Sequence, residues 1–178
     1  MAGRPYSADL PDLPVKDALD ALRLALIEQR RAILVAPPGA GKTTVVPLAL
    51  LDEPWLGDQT IIMLEPRRLA TRAAAQRMSV TTRTPIGQLV GYQTRDEREI
   101  TATTRIEVVT EGVLTRRLQN NPELPGVGCV IFDEVHERNL TTDVGLALTL
   151  DVATELRPEL RIIAMSATPD TDVLTKLL

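Results

Sequence analysis

Ala32-Ile33-Leu34-Val35-Ala36-Pro37-Pro38-Gly39-Ala40-Gly41-Lys42-Thr43-Thr44 sets a short apolar run against a proline- and glycine-rich turn, then a lysine and two threonines. The apolar run reads as a strand and the residues from about 42 to 51 as a helix. The glycines between them allow backbone N–H groups to face an anion with no Cβ in the way. The helix beginning there adds the positive end of its dipole. Gly39, Ala40, Gly41 and Thr44 belong to this loop. Lys42 would reach the β- and γ-phosphates of a nucleotide, and the Thr43 hydroxyl would ligate Mg²⁺. A plain glycine turn with a surface lysine is the bland alternative, and the strand–loop–helix setting weighs against it.

A second segment complements the first. Cys129-Val130-Ile131-Phe132 is another apolar run, and Asp133-Glu134-Val135-His136 follows it directly. A carboxylate at a strand end near the loop could bind Mg²⁺, partly through water, since Mg²⁺ keeps much of its hydration shell. That is the place of Asp133. Glu134 is the natural general base, orienting and deprotonating a water in line with the γ-phosphate. The pair could also simply solvate a strand end; the phosphate loop upstream reverses those odds. His136 is open between two roles, coupling the nucleotide site to a substrate site or capping the next turn.

Working outward, strand-like runs recur at 32–36, 60–64, 105–109, 129–133 and 161–165, with helical stretches near 15–30, 42–51, 67–79, 111–119 and 142–156. Residues 89–93 are a further, shorter strand candidate. Continuously apolar strands are the mark of a parallel sheet covered on both faces. Strand–helix alternation predicts a doubly wound, mostly parallel α/β domain with helices on both faces, and ligands outside the carboxyl ends of its strands. Residues 1–14, with Pro5, Pro11 and Pro14, read as an N-terminal arm, and 15–178 as the domain.

Composition narrows the functions. The chain has 178 residues, a formal net charge of −4 and a pI of about 5.1, so any grip on nucleic acid must come from a few placed arginines. Aromatics are 2%, too few for a base-stacking platform. The single cysteine, Cys129, lies inside an apolar run and reads as a small buried residue. One histidine and that cysteine cannot supply a normal zinc set. No apolar h-region opens the chain and no run is long enough to span a bilayer, so a cytoplasmic location without membrane partners is the expectation.

Together these segments resemble the DEAH/DExH-box branch of superfamily 2 helicases, from about Arg31 to Pro169. Motif I is Ala36–Thr44, with Ala36 standing where the consensus has a glycine. Motif Ia resembles Glu65-Pro66-Arg67-Arg68-Leu69-Ala70, and motif Ib Thr110-Glu111-Gly112-Val113-Leu114. Gly91-Tyr92-Gln93-Thr94-Arg95 matches a further family segment. Motif II is Asp133-Glu134-Val135-His136, extended by Glu137-Arg138, and motif III is Ser166-Ala167-Thr168. The wording of motifs I and Ia is similar to the bacterial HrpB type.

The resemblance implies a first RecA-like, P-loop nucleoside-triphosphatase domain that uses ATP and Mg²⁺. It implies that Ser166 and Thr168 couple the ATP site to movement between domains. Arg67, Arg68, Arg95, Thr110 and Gly112 would line the path of RNA or single-stranded DNA, touching phosphates and sugars. Arg77 matches an arginine that stacks on adenine; a solvated helix face is the even alternative. The family's second RecA-like domain carries arginine fingers in a Gln-x-x-Gly-Arg-x-Gly-Arg segment that this sequence lacks. Such a finger is worth about 10³–10⁵ in turnover. The expectation is therefore nucleotide binding with little or no hydrolysis by this chain alone. Two further readings stay open: a nucleotide-dependent switch or assembly module, and a folding domain with a vestigial site.

Overall fold

Side chains along the central strands alternate between two apolar clusters, one on each face of a single sheet. Ile61 and Met63 of β2 (Thr60–Leu64) enter one cluster and Ile62 and Leu64 the other. Cys129 and Ile131 alternate with Val130 and Phe132 along β6 (Val127–Phe132), and Ile163 and Met165 with Ile162 and Ala164 along β7 (Arg161–Ser166). This two-sided burial is why the runs are continuously apolar.

The computed structural model describes residue 6 and residues 10–137, 139–169 and 172–177. Its sheet has seven strands in the order β1-β7-β6-β2-β5-β3-β4. β1 is Arg31–Val35, β3 Val90–Gln93, β4 Arg98–Glu99 and β5 Ile106–Val109. All neighbours run parallel except β4, which pairs antiparallel with β3. The helices are α1 (Leu19–Glu28), α2 (Lys42–Leu50), α3 (Arg68–Thr82), α4 (Glu111–Asn120), α5 (Leu140–Glu155) and α6 (Asp172–Leu177). The first cluster holds the buried side chains of α1, α2 and α3, and the second those of α4 and α5. The doubly wound α/β fold is thus as expected from the sequence. Among the described residues no helix is long and apolar enough to cross a membrane.

The differences are local. The 15–30 helix divides into a 3-10 turn at Pro14–Ala18 and α1. β4 is an exposed Arg-Glu pair with no apolar periodicity to announce it. Most of the segment read as an arm, 1–5 and 7–9, lies outside the described residues. Its end is not an arm: Leu10 is buried, and Leu13 packs against the core beside Gly41. The apolar payload of two leucines outweighs the loop character that the prolines suggest.

Strand order decides where the motifs meet. Val35 is level with Ser166, Ala164 with Phe132, Phe132 with Leu64, and Leu64 with Val109, which is level with Gln93. Along one sheet edge, therefore, motif I leaves β1, motif III leaves β7, motif II leaves β6, motif Ia leaves β2, motif Ib leaves β5, and Thr94-Arg95 leaves β3.

Candidate functional site

Gly41 ends the loop as the N-cap of α2 in the left-handed region, at φ 96°, and Gly39 is at φ 78°. Both need glycine for that backbone. Gly41 also needs it for space: a Cβ there would meet Leu13 Cδ1 at 2.8 Å and Val45 Cγ2 at 3.2 Å. The loop is tied down on two sides. Val15 N–H donates to the Ala40 carbonyl at 3.0 Å, and Ala36 N–H to the Ser166 carbonyl at 3.1 Å. Thr44 N–H bonds the Gly41 carbonyl at 3.2 Å within the first turn of α2.

Lys42 is buried, and its ammonium lies across the loop, donating to the carbonyls of Ala36 at 2.5 Å and Pro37 at 3.2 Å. Beside it the Thr43 hydroxyl donates to Asp133 Oδ2 at 2.6 Å. The two halves read from the sequence are therefore in direct contact. Asp133 is fully buried, and its other oxygen accepts the Glu134 N–H at 2.9 Å. Burial raises its pKa to about 6, against the lowering effect of the Thr43 bond. A carboxylate stripped of water beside a hydroxyl is a hard-oxygen pair suited to a divalent cation, so these residues fit Mg²⁺. Among the described residues no group of three or more His, Cys, Asp or Glu is placed to hold a metal. A cation here would draw its remaining ligands from phosphate and water.

Glu134 adopts φ 54°, a left-handed backbone that costs a non-glycine residue about 1–2 kcal/mol. The strain opens the turn into the 3-10 segment Val135–Glu137. His136 Nε2 stands 3.3 Å from Glu134 Oε2, and its Nδ1 accepts the Ala167 N–H at 3.2 Å. An Nδ1 that accepts carries no proton, so the geometry assigns the neutral tautomer with the proton on Nε2, aimed at Glu134. The imidazole thus touches both the candidate base and motif III. Within motif III, Ser166 Oγ donates to the Thr168 carbonyl at 2.9 Å and accepts the Thr168 N–H at 3.1 Å.

Farther along the edge the polar groups are open. Arg95, Thr110 and Gly112 line a cleft of about 370 Å³ together with Gln93, Arg116 and Asn120. Arg95 and Arg116 are exposed and have no ion-pair partner among the described residues, whereas Arg117 is held by Glu107 at 2.6 Å and by Gln93 at 2.7 Å. Arg67 and Arg68 sit beyond the neighbouring end of β2. Arg68 is paired with Asp96 at 2.6 Å, and Arg67 lies between Glu65 and Glu137 at 3.8 and 3.4 Å. Arg77 is set apart on the exposed face of α3. Arg138 lies outside the described residues.

Three residues at this edge receive no role from the sequence, although Glu65 and Glu137 lie inside the quoted motif segments. Arg116 joins the cleft through the helical spacing from Gly112. Glu65 is buried next to Asp133, and burial first, then Asp133, raises its pKa to about 7. Glu137 is brought to Arg67 by the turn after His136. Only the strand order reveals the last two. Cys129, pushed up to about 12 by burial, is a protonated core thiol.

Comparisons with known proteins give the family. A family model described as DEAD/DEAH box helicase matches residues 16–177. The ATP-dependent RNA helicase HrpB of Escherichia coli K12 is 49% identical over 95% of this chain, which spans 21% of that protein. ATP-dependent RNA helicase DHX33 of Mus musculus is 37% identical over 92% of the chain, which covers 24% of its length. A crystal structure of the Escherichia coli DEAH/RHA helicase HrpB superposes with a TM-score of 0.90 at 50% identity, covering 94% of this chain and 21% of that one. The chain therefore spans about a fifth to a quarter of the length of these relatives.

Proposed function

Because the chain belongs to the DEAD/DEAH box helicase family, we propose that residues 15–178 are the first RecA-like domain of an ATP-dependent RNA helicase, binding Mg·ATP and the backbone of RNA. The contact between Thr43 and Asp133, at 2.6 Å, carries this reading, since it joins the phosphate loop to the acidic strand end. Lys42 would exchange its loop carbonyls for phosphate oxygens, a stronger charge-assisted bond. Thr43 and Asp133 would hold Mg²⁺, which when bound neutralises charge on the transferring phosphate. Glu134 accepts a proton from the attacking water, and His136, donating from Nε2, holds the carboxylate oriented.

Motif III feels that arrangement through the Ala167–His136 bond, and the phosphate loop through the Ala36–Ser166 bond. Arg95, Thr110, Gly112 and Arg116 would take sugar and phosphate oxygens in the cleft, with Arg67 and Arg68 alongside. Backbone contacts of this kind carry no base specificity, and single-stranded DNA competes to the extent that no 2′-hydroxyl is read. Hydrolysis at a helicase rate then calls for arginines from a second RecA-like domain of a longer protein.

Thermal melts with and without Mg²⁺ and a non-hydrolysable ATP analogue test the nucleotide half. A rise in melting temperature that Asp133→Asn abolishes is the expected result. Anisotropy with a labelled single-stranded RNA tests the other half. Binding that weakens steeply with salt, together with low ATP turnover, supports the helicase domain. Turnover at full-helicase rates by this chain contradicts the division of labour. Nucleotide binding without any RNA binding favours the nucleotide-dependent switch instead.

A further inference from the structure

Glu65 is a buried carboxylate that the proposed hydrolysis does not use. It follows β2 as Asp133 follows β6, and the residues before them, Leu64 and Phe132, are paired across the sheet. Its side chain is 4% exposed, and it accepts the Arg67 backbone N–H at 3.4 Å and faces Arg67 Nε at 3.8 Å. The same guanidinium reaches Glu137 at 3.4 Å while remaining 62% exposed. Both ion pairs are longer than the 2.7–2.9 Å of a charge-assisted hydrogen bond. Arg68 and Arg117 differ, each gripping its carboxylate at 2.6 Å. Arg67 is thus shared between two acids and tightly bound by neither.

We propose that Glu65 is a positioning residue that holds Arg67 between itself and Glu137, back from the nucleic-acid backbone, and sets how readily Arg67 is released to a phosphate. The inference rests on the proposed reading of Arg67 as a backbone contact. A phosphate oxygen offers the guanidinium a short bond that neither carboxylate makes. Against that gain stands the cost of leaving Glu65 buried beside Asp133 without its cation. Above the pH at which Glu65 ionises, removing its charge removes that cost, so binding measured on that alkaline side should strengthen. A carboxylate with a merely structural role would weaken binding when lost, or leave it unchanged.

The test is anisotropy of a labelled single-stranded RNA with the whole chain at low salt. Arg67→Ala should weaken binding. Glu65→Gln keeps an acceptor oxygen for the Arg67 N–H, and should tighten binding roughly two- to fivefold, the scale of a weak ion pair. Added to Arg67→Ala, it should change nothing. Glu137→Gln, at a more exposed position, should tighten binding in the same direction and serves if Glu65→Gln does not fold. No RNA binding by the parent chain, or an Arg67→Ala variant that binds normally, overturns the reading of Arg67. Weakening by Arg67→Ala with no gain from Glu65→Gln or Glu137→Gln leaves that reading and overturns the role of Glu65. The same gain in the double variant also overturns it, because the effect is then general electrostatics.

Discussion

At the ends of β1, β7 and β6 the polar side chains are held by bonds to one another or to the loop backbone; beyond β5 and β3 the cleft exposes Arg95 and Arg116, although Thr94 beside them is buried. Thr43 bonds Asp133, Asp133 takes the Glu134 N–H, and His136 stands between Glu134 and Ala167, while Lys42 and Ser166 bond the backbone of their own loops; three of these six residues are buried and three partly so. Arg95, Thr110, Gly112 and Arg116 only share the wall of an open cleft. One sheet edge thus carries a preorganised half and a solvated half. Preorganisation suits chemistry, because dipoles fixed in a dry site cost no reorganisation when charge develops. Solvation suits a sliding grip, because a backbone contact must be made and released repeatedly and is driven by counterion release.

The contrast predicts that the same kind of substitution costs more on the first half than on the second. The largest effect should come from Lys42→Ala. Removing a buried ammonium from the phosphates should weaken Mg·ATP binding by about 100-fold, read by calorimetry. RNA affinity should be unchanged, and a large parallel loss would mean that the halves are not separable.

Next comes pH. Asp133 and Glu65 have folded pKa values of about 6 and about 7, above their ordinary 3.8 and 4.5. The folded chain then binds more protons than the unfolded one across this interval. Stability should therefore be greatest at the acid end and fall as pH rises from about 4 to about 7, on the order of 2 kcal/mol for each group. Melts across that range should flatten in Asp133→Asn, and Mg²⁺ with nucleotide should restore part of the loss at neutral pH. Stability that rises through the same window would contradict the burial of these carboxylates.

A smaller effect separates the two loop glycines. Gly41→Ala combines a strained φ with a clash against Leu13, and should cost about 1–3 kcal/mol of stability together with nucleotide affinity. Gly39→Ala has only the strain, since nothing lies within 4 Å of its Cβ, and should cost about 1 kcal/mol. Equal melting temperatures for the two would mean that Leu13 does not brace the loop. The smallest effect belongs to the open half. Arg95→Ala should weaken RNA binding only about two- to fivefold and lower the salt slope by about 0.7, the share of one single-strand phosphate.

The two halves also differ in how they could be read beforehand. Strand, glycine loop and Lys42-Thr43 form one continuous stretch, and so do Phe132 and Asp133; backbone conformation and strand ends are local properties that residue type announces. The meeting of those stretches was legible only as far as ligands gather at strand ends. That β7 lies between β1 and β6, carrying Ser166 to the phosphate loop and Ala167 to His136, is a matter of strand order, which no periodicity encodes. Glu65 illustrates the limit. Its neighbours in sequence suggest a motif, but its raised pKa, set by burial first and then by Asp133, and its sharing of Arg67 with Glu137 depend on residues far away in the chain. Leu10 and Leu13 were hidden differently, since prolines around them signal a loop while their side chains still find the core.

The chain's sole histidine sits where Glu134 and Ala167 meet. Nitrogen NMR of this protein would therefore show a single imidazole, with no assignment problem and no background. The two ring nitrogens should give well-separated shifts while the Nε2-H tautomer holds. Any ligand that draws Glu134 or motif III away should move them. The molecule contains its own gauge of whether the hydrolytic carboxylate and the coupling loop are still connected, readable in nitrogen-15-enriched protein without an attached probe and without turnover.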